Sequence, residues 1–73
     1  MDRNVSKFAN KLREVREDRN LSQLQLGKDL GFTQTCIAKW ESGTRSPNID
    51  NLIMLAKYFD TTTDYLLGLE DDI

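Results

Sequence analysis

Apolar residues recur along this chain at spacings of three and four, which is the pattern of helices that bury one face. In the first segment these positions are Val5, Phe8, Leu12 and Val15. Charged residues occupy the remaining faces, and the pattern stops after residue 18. The spacing therefore predicts a first helix from residue 4 or 5 to residue 18.

Two short helical patterns follow, at residues 23–30 and 34–42, and only Gly31, Phe32 and Thr33 separate them. Gly31 stands where a helix would end in a left-handed residue, a conformation that glycine adopts without a Cβ clash. The Thr33 hydroxyl can cap the next helix. Because three residues cannot form a long loop, we expect the second helix of the pair to turn sharply away from the first.

Cap residues also mark the other helices. Ser22 is followed three residues later by Gln25. This is the spacing of a capping box. In it, the side chain of each of the two residues accepts a hydrogen bond from the backbone N–H group of the other. Asn48 can cap a fourth helix and Thr62 a short fifth one. The fourth helix has an apolar stripe made of Leu52, Leu55, Ala56 and Phe59. Residues 70–73 are expected to form a frayed acidic tail.

The composition excludes several classes of protein. A chain of 73 residues allows one small domain. Such a domain buries about 60% of its unfolded surface on folding. One cysteine cannot form an internal disulfide, and without histidine no metal site or cofactor is expected. No apolar run reaches the roughly 20 residues of a membrane span, and the first residues lack the apolar segment of a signal peptide. These features lead us to expect a cytoplasmic protein. We also expect that it is not an enzyme, because no set of catalytic residues is apparent.

The charge is unevenly distributed along the chain. The net charge is −2, which argues against a polyanion as ligand. However, the segment 60–73 contains five acidic residues and no basic one, so the part before Asp60 holds all 10 basic side chains and the other seven of the 12 acidic ones. The resulting excess of three positive charges is compatible with weak non-specific attraction to nucleic acid.

The helix over residues 34–42 has two chemically different faces. Ile37, Trp40 and Cys36 form its apolar side, and the polar side consists of Gln34, Thr35, Ala38 and Lys39. Amide, hydroxyl, methyl and ammonium groups are those that read base edges in a DNA major groove. The alternative interpretation is an ordinary solvated face, and a glutamine alone would indicate nothing more.

Residues 8–68 resemble the phage-repressor and Cro-like (XRE-type) helix-turn-helix family. The resemblance is carried by a combination of residues at specific spacings: Ser22, Gln23, Gly27, Leu30, Gly31, Ile37, Trp40, Glu41, Gly43, Arg45 and Pro47. It implies an all-α, five-helix, lambda-repressor-like domain over residues 1–69, with helices two and three as the helix-turn-helix. It also implies a sequence-specific regulator of transcription that binds double-stranded DNA, most simply a repressor.

The family resemblance also assigns roles to individual residues. Base readout is expected from the start of helix three, at Thr33, Gln34, Thr35 and Lys39. Contacts to the DNA backbone are expected from Gln23, Ser42, Thr44 and Arg45. Gln23 could also brace the glutamine of helix three, and the alternative is that it is only a good first residue of its helix. Arg19 could lie near the same DNA backbone or be an ordinary solvated arginine.

The resemblance also assigns structural roles. Arg16 and Glu41 are expected to form a partly buried salt bridge that ties helix three to helix one, with two separate surface charges as the alternative. Gly27 lies where the family usually has alanine. Because glycine costs about 1 kcal/mol inside a helix, we expect Gly27→Ala to stabilise the domain. The aromatic side chains of Phe8, Phe32, Trp40 and Phe59 are expected in the core, since their helical spacing fits packing better than stacking on bases.

The expected partners follow from one domain reading half a site. A homodimer on a near-palindromic operator is the natural arrangement, with residues 60–73 as a candidate dimer surface unless their leucines mostly complete the core. A different class of function is also open. The same scaffold can serve as a protein-interaction module, such as an antitoxin or a regulator that sequesters a partner protein, and the acidic total favours this slightly.

Overall fold

The computed structural model describes the backbone of residues 3–70 and the side chains of residues 7–70. This part of the chain folds into five helices without a strand: α1 (Arg3–Asp18), α2 (Gln23–Leu30), α3 (Gln34–Ser42), α4 (Ile49–Tyr58) and α5 (Thr63–Leu66). The all-α prediction is therefore confirmed. Val5, in the predicted stripe of the first helix, and most of the predicted acidic tail lie outside the described side chains.

Side-chain caps begin four of the helices. Ser22, Thr33, Asn48 and Thr62 each accept a hydrogen bond from the backbone N–H three residues later. This satisfies an N–H group that has no partner inside the helix. The predicted capping box is only half formed, because the Gln25 side chain donates to Asp29 at 2.9 Å instead of returning to Ser22. A carboxylate one turn away on the exposed surface offers the amide a charged partner.

The core lies between the helix-turn-helix pair and the helices on either side. Its buried members are Phe8, Leu12, Leu26, Ile37, Trp40, Leu55, Ala56, Phe59 and Leu66. Phe32 and Cys36 are half-buried and pack against this cluster. The four aromatic residues thus belong to the core, as their spacing predicted.

Gly27 is buried where α2 meets the turn before α3. Its carbonyl accepts from the Phe32 N–H at 2.7 Å, which brings the two backbones into direct contact. A Cβ at this position would lie 2.8 Å from the Phe32 carbonyl oxygen and 3.2 Å from the Thr33 carbonyl carbon and oxygen. The expectation that Gly27→Ala stabilises the domain is therefore wrong, because backbone atoms occupy the space that a methyl group needs.

Arg19 closes the end of α4, a role that neither interpretation of the sequence included. Its Nη2 donates to the carbonyl of Phe59 at 2.9 Å and its Nη1 to that of Tyr58 at 3.3 Å. Both carbonyls are at the C-terminus of the helix, where oxygens lack partners inside the helix and a cation is favourable. Arg19 thus links the end of α1 to the end of α4.

The segment after α4 mainly completes the core. Leu66 has no exposed surface, Gly68 is buried, and Tyr65 and Leu67 are half-buried. Leu69 differs, with 60% of its surface exposed. Within residues 3–70, no helix has both the length and the apolar character needed to cross a membrane.

Candidate nucleic-acid interface

Helix α3 separates its side chains cleanly into a buried and an exposed face. Ile37, Trp40 and Glu41 are buried, with Glu41 beside the core. The exposed face carries Gln34, Thr35, Lys39 and Ser42, with half-buried Ala38 between them. At 100° per residue these five positions span an arc of about 140°. The sequence-predicted reading residues are therefore together on one surface.

Three polar side chains on this face are free to bind another molecule. The side chains of Gln34, Thr35 and Lys39 make no hydrogen bond or ion pair within residues 7–70. The exposed Thr33 caps α3 by accepting from the Cys36 N–H at 3.1 Å, which leaves its hydroxyl proton available. The start of α3 therefore presents amide and hydroxyl groups whose partners must come from outside this part of the chain.

The orientation of α3 is set by the turn and by aromatic packing. Gly31 adopts φ 83°, and its N–H bonds back to the carbonyl of Lys28. The Phe32 ring meets the Trp40 ring edge to face, with centroids 5.1 Å apart and an interplanar angle of 69°. This geometry is favourable for aromatic pairs, and it fixes the turn against the buried face of α3.

The loop after α3 folds back on the last turn of the helix. Gly43 has φ 79°, and the N–H groups of Thr44 and Arg45 both bond to the Lys39 carbonyl, at 3.1 and 3.3 Å. The Ser42 hydroxyl also lies 3.1 Å from that carbonyl and 2.7 Å from the Thr44 hydroxyl. Ser42 therefore already has partners within the chain, whereas the exposed Arg45 has no side-chain partner within residues 7–70.

A buried carboxylate anchors α3 to the two preceding helices. Arg16 donates to Glu41 from Nε at 2.6 Å and from Nη2 at 2.9 Å, and its Nη1 donates to the Leu21 carbonyl at 2.7 Å. The hydrogen bond to Glu41 raises the pKa of Arg16 despite the opposing effect of burial. The predicted salt bridge is therefore present, and every buried polar atom of the pair is satisfied, as burial requires.

Gln23 joins the same carboxylate at the start of α2. Its Nε2 donates to Glu41 Oε1 at 3.2 Å, so it braces Glu41 and makes no hydrogen bond with Gln34, contrary to the expected bracing of the α3 glutamine. An ionised acceptor gives a stronger bond than a neutral amide does. One Nε2 proton and the Oε1 atom of Gln23, at the N-terminus of α2, have no partner among the side chains of residues 7–70.

Sequence reasoning missed Arg13. Its Nη2 donates to the backbone carbonyl of Glu41 at 3.1 Å, and its Nε lies 3.7 Å from Glu41 Oε1. The sequence feature that could have identified Arg13 is its position three residues before Arg16, which puts both arginines on one side of α1. About half of the Arg13 side chain is exposed. This pair is therefore weaker than the buried one.

Comparison with known proteins identifies relatives over most of the chain. A family model described as helix-turn-helix matches residues 12–66. The transcriptional activator BcrR of Enterococcus faecalis is 42% identical over 88% of this chain and 31% of its own length. The transcriptional regulator AnsR of Bacillus subtilis is 43% identical over 82% of this chain and 52% of its own length.

A phage protein is also similar. Repressor protein C2 of Salmonella phage P22 is 33% identical over 88% of this chain and 30% of its own length. The chain thus spans about half or less of each of these three relatives. The family match covers the helix pair, most of the core and the exposed face of α3 together. The chain therefore belongs to the phage-repressor-like (XRE-type) helix-turn-helix family of DNA-binding transcription regulators.

Proposed function

We propose that this chain binds double-stranded DNA sequence-specifically by placing α3 in the major groove, and that it regulates transcription by occupying an operator. The observation that carries the proposal is the exposed face of α3. The Gln34 amide, the Thr35 hydroxyl and the Lys39 ammonium group on this face have no partner within the described side chains, while the opposite face is held in the core. A major groove accepts one helix, and its base edges match these groups.

Base readout is assigned to the first turn and a half of α3. Gln34 can donate to and accept from one adenine, and the methyl groups of Thr33 and Thr35 can contact thymine. Lys39, about one turn further along, can reach a guanine edge or a phosphate. All four side chains are exposed, which supports the assignment.

Backbone contacts are assigned to both ends of this surface. Arg45 and Thr44 follow α3, and Gln23 lies at the N-terminus of α2, where N–H groups and the helix dipole favour a phosphate. Ser42 belongs to the same group, although its hydroxyl must first break its hydrogen bond to the Lys39 carbonyl or the Thr44 hydroxyl before it can donate to a phosphate. Such contacts fix the register of the protein on DNA without encoding sequence.

Repression and homodimerisation complete the proposal. Occupying an operator blocks polymerase without a further domain, although the relatives include both a named activator and a named repressor. One domain, assigned here to residues 1–69 with an acidic tail at 70–73, reads about half a site. Two copies on a near-palindrome would place their half-sites about 34 Å apart, or one helical turn.

Selection from a random duplex library, followed by footprinting on the selected DNA, tests the proposal. The wild-type protein should enrich one near-palindromic sequence and protect it, and Gln34→Ala should lose that preference while remaining folded. Absence of any salt-sensitive DNA binding, together with capture of a specific protein partner, would overturn the proposal. That result would favour a protein-interaction module on the same scaffold.

A further inference from the structure

The outer face of α4 carries two isoleucines that residues 7–70 leave uncovered. Ile49 is 74% exposed and Ile53 is 41% exposed. Their spacing of four places them next to each other on the helix surface. The neighbouring side of α4 is the one that enters the core, through Leu55 and Ala56. Two large apolar side chains exposed side by side are typical of a contact surface.

Two opposite charges lie on the same face. Asp50 is three residues before Ile53 and Lys57 is four residues after it, so both adjoin Ile53. Both are exposed, and neither has an ion-pair partner within residues 7–70. The two positions are seven apart in the sequence, which is about 10.5 Å along the axis and too far for a direct pair. The face therefore has an acid near one end and a base near the other.

The geometry points to a second copy of this chain as the partner of this face, with the two α4 helices packed antiparallel about a twofold axis near Ile53. Symmetry then makes the patch complementary to itself. Asp50 of each copy lies opposite Lys57 of the other, and the two Ile53 side chains meet near the axis. The inference rests on the proposed function in one respect. The homodimer is proposed there, and the inference names the surface through which it forms.

The alternative surface at residues 60–73 fits a twofold contact less well. Leu66 is fully buried, which leaves Leu69 as the exposed large apolar residue of its described part. The segment has five acidic residues and no basic one. A symmetric contact would bring like charges together, which opposes association. The α4 face has both apolar surface and balanced charge.

The size of the face predicts a weak dimer. Helix α4 contains 10 residues. At its rise per residue it is about 15 Å long. One such helix face is smaller than the roughly 800 Å² that each partner buries in a stable complex. The dimer should therefore form at high protein concentration in solution. Two adjacent half-sites would strengthen it by holding both copies at a high effective concentration.

Two charge variants of the full chain test the inference. Asp50→Lys gives a face with two bases, and Lys57→Asp gives a face with two acids. Each variant alone places like charges opposite each other twice, so its self-association should be at least about tenfold weaker than that of the wild type. An equimolar mixture restores both opposite-charge pairs and should associate at least as tightly as the wild type. Sedimentation velocity without DNA measures the wild type, the two variants and their mixture, and thermal unfolding verifies that each variant is folded.

A matched mixture separates this geometry from a general effect of the difference in net charge between the two variants. Asp18→Lys and Lys28→Asp carry the same net charges as the test variants, but at exposed positions outside α4. Their mixture should show no gain over the wild type. The inference is overturned by a wild type that stays monomeric at millimolar concentration, by a test mixture without rescue, or by equal gain in the control mixture. Because no DNA is present, these outcomes are independent of whether the chain binds an operator.

Discussion

Arg16 and Glu41 are far apart in the sequence, yet they form the closest ion pair of residues 7–70, with Nε and Oε2 separated by 2.6 Å. The pair connects α1 to the last turn of α3, beside the exposed face of that helix. Only 1% of the Glu41 side chain is exposed, so its charge depends on Arg16, with smaller contributions from Arg13 and Gln23. The position of the exposed face of α3 therefore depends on a buried electrostatic contact as well as on apolar packing.

Removing Arg16 should destabilise the fold more than removing Arg13. Arg16→Met leaves a buried carboxylate without its main partner and should lower the free energy of unfolding by about 3 kcal/mol. Arg13→Met removes a half-exposed pair and should cost under about 1 kcal/mol. Urea denaturation measures both. Equal losses in the two variants would show that burial does not decide the strength of this network.

The same measurement applied to a double variant tests whether the pair acts as a unit. Arg16→Met together with Glu41→Met removes both buried charges, so the double variant should lose less stability than the sum of the two single variants. Additive losses would contradict a direct coupling between these two side chains.

Gly27→Ala should destabilise the domain. The new methyl group would meet the Phe32 carbonyl oxygen at 2.8 Å. Alanine gains up to about 1 kcal/mol of helix propensity, but such overpacking costs about 1 to 3 kcal/mol. Thermal unfolding should show a lower midpoint than that of the wild type. Lys28→Ala, at the next and exposed position of α2, is the control and should change the midpoint little. A raised midpoint for Gly27→Ala would mean that the turn moves away from α2 at little cost.

The contrast between Gly27 and the cap residues shows which features the sequence could predict. Ser22, Thr33 and Asn48 act on backbone groups three residues away, so local spacing was enough to identify them. The distance between Gly27 and the Phe32 backbone depends on how closely two helices cross. Propensity alone therefore predicted the wrong sign for the substitution.

Long side chains were the least predictable part of the candidate site. Arg19 reaches the end of α4, and Gln23 bonds to Glu41 instead of Gln34. Both side chains bond to partners that are distant in the sequence and become neighbours only in the assembled fold. The exposed face of α3 could be predicted from its periodicity, because a helix with a buried stripe must present its other residues outward.

Tyr58 should ionise at higher pH than a free tyrosine. Its hydroxyl donates to Asp29 Oδ2 at 2.6 Å, and this bond, followed by burial and the Asp29 charge, raises the pKa above its usual value of 10.0. Absorbance titration of Tyr65→Phe, which leaves Tyr58 as the remaining tyrosine, measures it. Adding Asp29→Asn should move the titration back toward the usual value. No movement would assign the raised pKa to burial alone.

The stability effect of this bond has a definite sign. Because the folded pKa of Tyr58 lies above the unfolded one, the contribution is fully present below about pH 10 and is lost as the pH rises through the folded pKa. Unfolding experiments should therefore show that the stability difference between Tyr65→Phe and Tyr65→Phe with Asp29→Asn becomes smaller at high pH. A difference that stays constant across this range would contradict the proton linkage.

Gln34→Ala should reduce sequence discrimination without affecting the fold. An amide paired with one base contributes about 1 to 3 kcal/mol of discrimination, so affinity for the selected operator should fall about 5- to 150-fold while affinity for random DNA stays nearly constant. Fluorescence anisotropy with both duplexes measures this. Gln25→Ala removes the same side chain from an exposed position of α2 and is the control. Equal losses on both duplexes would mean that Gln34 contacts the DNA backbone.

Arg45→Ala should weaken binding to every sequence alike, because an arginine beside a phosphate contributes charge and register but no base readout. Each phosphate contact contributes about 0.9 to the slope of log affinity against log salt, so the variant should bind with a slope smaller by about 1 per protomer. Lys7→Ala, which removes one exposed charge from α1, should leave the slope unchanged, because Lys7 is not among the residues assigned to the DNA backbone. Equal decreases in both variants would instead mean that the overall charge attracts DNA, since a long-range field does not distinguish the position of a cation.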